Sequence, residues 1–247
     1  MKRKFLPFAA AILIGGSLAG CMDGNLNTAS LSAAQDAFKA ATLSENDAKT
    51  MATQAAVQMD TQNSVLPASS PYTKRLNRLV AGLNNEDGMQ LNFKVYNVKE
   101  INAFAMADGT VRVYRGLMDK FTDDEIRFVI GHEIGHVKLG HSLKAMRTAY
   151  ATSAARKGVA SQGGRAAQLS SSQLGELGEA LINAQFSQSQ ERESDAYAVK
   201  FMKKHGFDAR AGLSVMKKFQ QMDGGNHSML SSHPASKERE DNIASML

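Results

Sequence analysis

The chain runs to 247 residues with 43% hydrophobic and 21% charged side chains, the balance of an ordinary globular domain, which excludes a disordered or collagen-like chain. Its formal charge of +5 falls to +2 once residues 1–20 are set aside, because Lys2, Arg3 and Lys4 lie there and no acidic residue does. So small an excess, without any nucleic-acid motif, points to no nucleic-acid partner. Cys21 is the only cysteine, so no internal disulfide can form.

Lys2-Arg3-Lys4 followed by the apolar residues 5–19 has the form of a secretion signal. That apolar run is too short, and too broken by Gly15 and Gly16, for a stable membrane span. Leu18-Ala19-Gly20-Cys21 resembles the lipobox of bacterial lipoproteins, which are cut before the cysteine and acylated on it. Residues 1–20 are therefore expected to be a lipoprotein signal peptide and Cys21 the acylated residue, a free or disulfide-bonded Cys21 being the alternative. In enterobacterial lipoproteins Asp after the cysteine resembles an inner-membrane retention signal; Met22 stands there, which implies the outer membrane. Residues 21–31 have the polar character of a lipidated tether, which would hold residues 32–247 at a periplasmic surface without spanning it.

Helices are expected over residues 32–41 and 44–59, the second capped by Ser44 with Asp47 in its first turn. Residues 63–70 read as a loop. Pro71 opens a third helix to Leu83, with Leu76, Leu79, Val80 and Leu83 on one stripe, and residues 84–88 end it. Leu91, Phe93 and Val95 alternate with polar residues as a strand does. Residues 102–107 and 110–114 flank Asp108-Gly109, a hairpin signal. Thr122 to Glu125 has the spacing of a capping box and starts a helix whose buried stripe is Ile126, Val129, Ile130, Ile134 and Val137, with His132 away from it.

Basic residues between Lys138 and Arg165 read as a solvated face. Residues 158–178, rich in Gly, Ser, Gln and Ala, suit either a mobile loop or a weakly helical connector. A long helix follows over residues 179–205, closed by Gly206 with His205 as a cap. Asp208 opens another to residue 222, and His233-Pro234 precedes a last one. The 13 methionines read as core filler.

His132-Glu133-Ile134-Gly135-His136 is the two-histidine zinc signature of metalloproteases. Residues four apart on a helix differ by about 40° around its axis, so His132 and His136 can hold one metal together. Glu133 lies beside them, placed to act on a water without taking up a metal bond. A catalytic zinc site wants a third protein ligand. His141 follows His132 by nine residues. On a continuous helix that is about 180° around, so it is expected to face elsewhere. A metzincin would need glycine at 139 and histidine at 142, where Leu139 and Ser142 stand. Glu191 and Asp195 share a helix face while Glu193 points away. Glu191 can thus bind the metal, and Asp195 can accept a hydrogen bond from a ligand histidine. A solvated acidic run is the other reading of that segment.

His132-Glu133-x-x-His136, Glu191-x-x-x-Asp195 and His233-Pro234 with Arg239 together resemble metallopeptidase family forty-eight, which includes the HtpX and CaaX prenyl proteases. The likeness extends to Asn102-Ala103-Phe104-Ala105 and Arg115-Gly116-Leu117, and is nearest to a branch of bacterial outer-membrane lipoproteins. It implies an α+β, mostly helical fold of the zincin (gluzincin) type, with a small sheet or hairpin beside the active-site helix. One zinc ion per chain would be held by His132, His136 and Glu191, with Glu133 as catalytic base. The resemblance also places His233 near the metal, as an oxyanion donor or a cap on resting zinc, although a role in starting the helix after Pro234 stays open. Arg239 either orients the acidic segment or faces solvent. Residues 102–105 could align an extended substrate through main-chain hydrogen bonds, or simply pack the metal helix.

The expected activity is endopeptidase cleavage of unfolded or misassembled envelope proteins, with the oligomeric state left open. A chaperone-like lipoprotein with a closed or structural metal site is the competing reading, and a peptidoglycan hydrolase a third.

Overall fold

Ser44 caps the first helix described, α1 (Glu45–Gln62), its hydroxyl accepting the Asp47 amide at 3.1 Å. The computed structural model describes residues 43–157, 169–222 and 228–247, so the signal, tether and first helix expected over residues 1–41 lie outside the described residues. Ala48, Met51, Ala52, Ala55, Ala56 and Met59 bury one face of α1. Helix α2 (Pro71–Leu79) stops four residues earlier than its apolar stripe predicts. Gly82 takes a φ of +83, which a helix cannot continue through, yet Val80 and Leu83 still reach the core. Strands β1 (Asn85–Glu86) and β2 (Met89–Gln90) form a hairpin around Asp87 and Gly88, both at positive φ. Residues 84–88, expected only to end the preceding helix, thus contain a turn of their own.

The main sheet contains β3 (Asn92–Tyr96), β4 (Ala103–Ala105) and β5 (Thr110–Tyr114) in the order β3-β5-β4. β3 lies parallel to β5 and β4 antiparallel to it, which leaves β4 on an edge. The expected hairpin at Asp108-Gly109 is present, with Gly109 at a φ of +89 and pressed against the Gln90 carbonyl. After the short α3 (Arg115–Lys120) comes α4 (Asp123–Lys138), started by the expected capping box: Thr122 N donates to Glu125 at 2.7 Å and Glu125 N to Thr122 at 3.4 Å.

Helix α4 ends at Gly140, whose φ is +77, and α5 (His141–Lys157) leaves in a new direction. The single helix expected over residues 179–205 is instead two, α6 (Ser171–Ile182) and α7 (Gln188–Lys204). Ser187 and Gln190 make a capping box that starts α7 afresh, and Ser170 with Gln173 does the same for α6. Residues 171–178, expected to be either a mobile loop or a weakly helical connector, are helical, and residues 158–168 lie outside the described residues. His205 caps α7 as expected. Helix α8 (Ala211–Gln221) begins three residues after Asp208, whose carboxylate holds the Arg210 amide in a preceding turn. Helices α9 (Ser228–Ser232) and α10 (Lys237–Ser245) close the chain. Among the described residues no helix is long and apolar enough to cross a membrane.

One apolar core joins the sheet to α4, α7 and α8, while a second lies between α1 and the rings of Tyr96, Phe104 and Tyr114. Asp60 of α1 is pinned to the sheet by Arg112 Nε at 2.8 Å, Lys94 Nζ at 2.7 Å and Tyr96 OH at 2.8 Å. Burial works to raise its carboxyl, but those three donors hold it below the usual carboxylate range. A depressed folded-state pKa adds stability above the unfolded value and loses it as pH falls through the folded one. Asp60→Asn, which takes the carboxylate from the buried Arg112 but leaves its bonds to Asn92 and Val111, should therefore cost about 1–3 kcal/mol at neutral pH. The gap from wild type should close in strong acid, as chemical unfolding at the two pH values would measure.

Candidate metal centre

His132 and His136 project from one face of α4 with their Nε2 atoms 3.0 Å apart. Glu191 reaches the same point from α7, Oε2 at 3.5 Å from His132 Nε2 and Oε1 at 3.4 Å from His136 Nε2. His233 arrives from the segment before α10, its Nδ1 at 2.9 Å from Glu191 Oε1 and 3.4 Å from His132 Nε2. One ligand atom from each of these four buried residues lies within 4.8 Å of the others.

Helices α4 and α7 come this close because glycine faces α7 at two turns. A Cβ on Gly131 would meet the Phe201 ring at 2.7 Å, and one on Gly135 would lie 3.2 Å from the backbone of Ser194. Gly135→Ala must therefore push the two ligand-bearing helices apart. It should cost about 1–3 kcal/mol of stability and weaken metal binding, measured by thermal melting and chelator competition.

The residues present fit a divalent metal. Among the described residues Glu133 Oε1 is buried without a hydrogen-bond partner, a costly arrangement unless something else engages it. Two imidazoles and a carboxylate form a donor set of catalytic zinc. The field agrees: burial works against a charged His132, yet Asp195 and Glu191 raise it to about 9, so the pocket favours positive charge. Burial drives His136 well below its ordinary value, leaving a neutral ring with a lone pair to give. Burial would raise Glu191, but contacts from His132, His136 and His233 hold it below the carboxylate range as an anion. Glu133 is raised, chiefly by burial, as a proton acceptor should be.

Behind the ligands, Asp195 accepts from His132 Nδ1 at 3.0 Å and takes two bonds of 2.8 Å from Arg239. Arg239 is 2% exposed, so it lies inside and not in solvent, with Nη1 2.7 Å from Glu191 Oε2. The same guanidinium holds the Pro234 carbonyl at 3.1 Å, fixing the turn that carries His233.

Of residues 102–105, Asn102, Ala103 and Phe104 are buried and Ala105 half-buried. The Phe104 ring packs edge-on against Tyr96 and Tyr114, so that side chain belongs to the core. Asn102 O accepts from Tyr114 N and Met106 N donates to Thr110 O, so Ala103 and Ala105 turn their main-chain groups to the other side. There Ser142 Oγ donates to Ala105 O at 3.3 Å, and the Ala105 amide favours ionised Glu133.

Phe186 carries no signal of its own in the sequence, and His141 stands elsewhere than its spacing predicts. Phe186, in the break between α6 and α7, stacks on His136 at 3.9 Å and lies 5.2 Å from His233, centroid to centroid. His141, expected to face elsewhere, lies with Nδ1 3.1 Å from His136 Nδ1, and Glu193, expected to point away, meets His141 Nε2 at 3.3 Å. Helical phase holds only along a continuous helix, and the turn at Gly140 breaks it between His136 and His141. His141 is not among the clustered ligand atoms, and burial lowers it from its ordinary value.

Residues 70–247 match the family model described as Peptidase family M48. The chain is 44% identical over 242 residues to Metalloprotease LoiP of Escherichia coli (strain K12), covering 97% of this chain and 96% of the relative. It is 44% identical to Metalloprotease YcaL of the same organism over 237 residues, 95% of this chain and 92% of the relative. A Beta-barrel assembly-enhancing protease of Yersinia pestis is 32% identical over 162 residues, 62% of this chain and 33% of that protein.

Proposed function

The chain belongs to peptidase family M48 and is a metalloendopeptidase, and from that premise we propose that its metal is zinc and its substrates are unfolded or misassembled bacterial envelope proteins. The observation that carries the reading is the meeting of His132, His136 and Glu191 beside the unpartnered carboxylate oxygen of Glu133.

Zinc, when bound, would polarise the scissile carbonyl and lower the pKa of water to about 7. Glu133 would take the proton of the attacking water and return it to the leaving amine. Asp195, on His132 Nδ1, would keep that ring's Nε2 free, while Arg239 balances the buried negative charge of Asp195 and Glu191. His233 touches Glu191 through Nδ1, and its Nε2 lies 3.7 Å from Glu133 Oε1. That placement supports a role at the reacting carbonyl, as an oxyanion donor, over one confined to starting α10. The place of β4 at the sheet edge, beside Glu133, supports alignment of an extended peptide along it, which suits unfolded substrates.

The Leu18-Ala19-Gly20-Cys21 sequence supports removal of residues 1–20 and acylation of Cys21, which would hold the enzyme on the periplasmic face of the outer membrane. Likeness to a Beta-barrel assembly-enhancing protease of Yersinia pestis supports a role in β-barrel assembly, and through it in envelope quality control.

One feature favours the competing reading, a chaperone-like protein with a closed site: the Phe186 ring packs against both His136 and His233 of the cluster. Digestion of casein or another unfolded protein, with and without chelator, separates the two. The zinc-loaded protein should cleave, chelator should stop it, and zinc should restore it. Full zinc content with no cleavage would overturn the protease reading in favour of the closed site.

A further inference from the structure

His132 and His136 enter the metal site through the same nitrogen, Nε2, but they are steadied from behind in different ways. His132 has the buried, charged Asp195 on its Nδ1. His136 has another imidazole there, His141, at 3.1 Å. We propose that His141 and Glu193 are a positioning pair for His136, a hydrogen-bond chain that fixes the ring and tautomer of this ligand from the side opposite Asp195. The proposal rests on the reading that His136 Nε2 holds the metal.

Two imidazole nitrogens can bond only if one carries a proton and the other a lone pair. With the Nε2 lone pair of His136 given to the metal it shares with Glu191, its proton must sit on Nδ1, which therefore donates. His141 Nδ1 must then accept, which puts the His141 proton on Nε2. That nitrogen faces Glu193 Oε2 at 3.3 Å, and a carboxylate can only accept. Glu193 is held in place by Ser189 Oγ, which donates to its other oxygen at 2.9 Å. Ser194 Oγ, 3.4 Å from His141 Nδ1, is a longer and weaker neighbour. Every proton in the chain His136–His141–Glu193 is thus assigned without conflict.

The backbone serves this contact. Gly140 takes a φ of +77, open to glycine at little cost, and so places His141 as the first residue of α5, folded back on His136. His141 is 6% exposed, whereas the Glu193 side chain is 53% exposed, so the chain runs from the buried metal ligand to water. The Asp195 branch, by contrast, ends on buried Arg239. His141 is accordingly the softer support of the two.

The test uses the full chain loaded with zinc or cobalt. The zinc dissociation constant is read by chelator competition, and the ligand field by the visible spectrum of the cobalt form. His141→Leu keeps volume and removes the acceptor; it should weaken zinc about 10–100-fold and change the cobalt spectrum. His141→Asn puts an oxygen near the Nδ1 position and should restore most of the affinity and the spectrum. Glu193→Ala, at an exposed side chain, should weaken zinc by less with its melting temperature unchanged, and it covers the case in which His141→Leu fails to fold. Wild-type zinc affinity and cobalt spectrum in His141→Leu would overturn the pair, provided His136→Ala loses zinc. Equal losses in His141→Asn and His141→Leu would also overturn it, since packing would then explain both. Should His136→Ala keep its zinc, the metal assignment itself fails, and the pair fails with it.

Discussion

Replacing Glu133 by Gln should leave the metal in place and slow cleavage of an unfolded protein about 10²–10⁴-fold. The substitution keeps the shape of the side chain and removes its ability to take a proton. Glu133 is buried, and its Oε1 has no protein donor to lose, so the fold should tolerate the change. Zinc content should match wild type, because the carboxylates and imidazoles that converge on the site are those of other residues. Removing His136 gives the complementary result, a fall in bound zinc as well as in rate. Turnover at the wild-type level in Glu133→Gln, measured on the same zinc-loaded preparation, would remove Glu133 from the role of base.

Arg239→Met should cost about 3–5 kcal/mol of folding stability, the usual consequence of stripping one partner from a buried charge pair. Arg239 lies against Asp195 and Glu191, both wholly buried, and without it two buried carboxylates lose the guanidinium they share. Methionine fills much the same volume, so the loss reads charge and hydrogen bonding more than packing. Added zinc should recover part of the loss, because it binds only the folded state and supplies positive charge at the same place. Arg192→Met is the contrasting case. Its partner Glu238 is 66% exposed, so the change should stay within about 0.5 kcal/mol. Chemical unfolding midpoints of the two variants would separate these outcomes. A loss below about 1 kcal/mol in Arg239→Met would mark it as a surface-like pair.

The parts of the site legible in the sequence are those in which two residues share one helix. His132 with His136, and Glu191 with Asp195, are four apart, and helical phase alone brings each couple to a common face. The capping box at Thr122 and the Asp108-Gly109 turn were legible for a related reason: each is a local pattern with its own hydrogen bonds. What escaped lies beyond a change of direction. His141 is only five residues past His136, but Gly140 resets the phase between them. Phe186 was hidden inside an expected helix that Ser187 and Gln190 interrupt and restart. Glu193 looked outward on its own helix and is outward, yet α5 returns to place His141 against it. For Arg239 the sequence leaves open whether it orients the acidic segment or faces solvent; the packing of α10 against α7 buries it, while Arg192 stays nearer the surface.

The chain contains no tryptophan, and Phe186 lies directly over two imidazoles of the site. An indole installed at that one position would be the molecule's sole long-wavelength fluorophore. Its emission colour would follow how wet the metal face is, so that loading with zinc, binding of an inhibitor and exposure of the cleft could each be timed optically in a single cuvette.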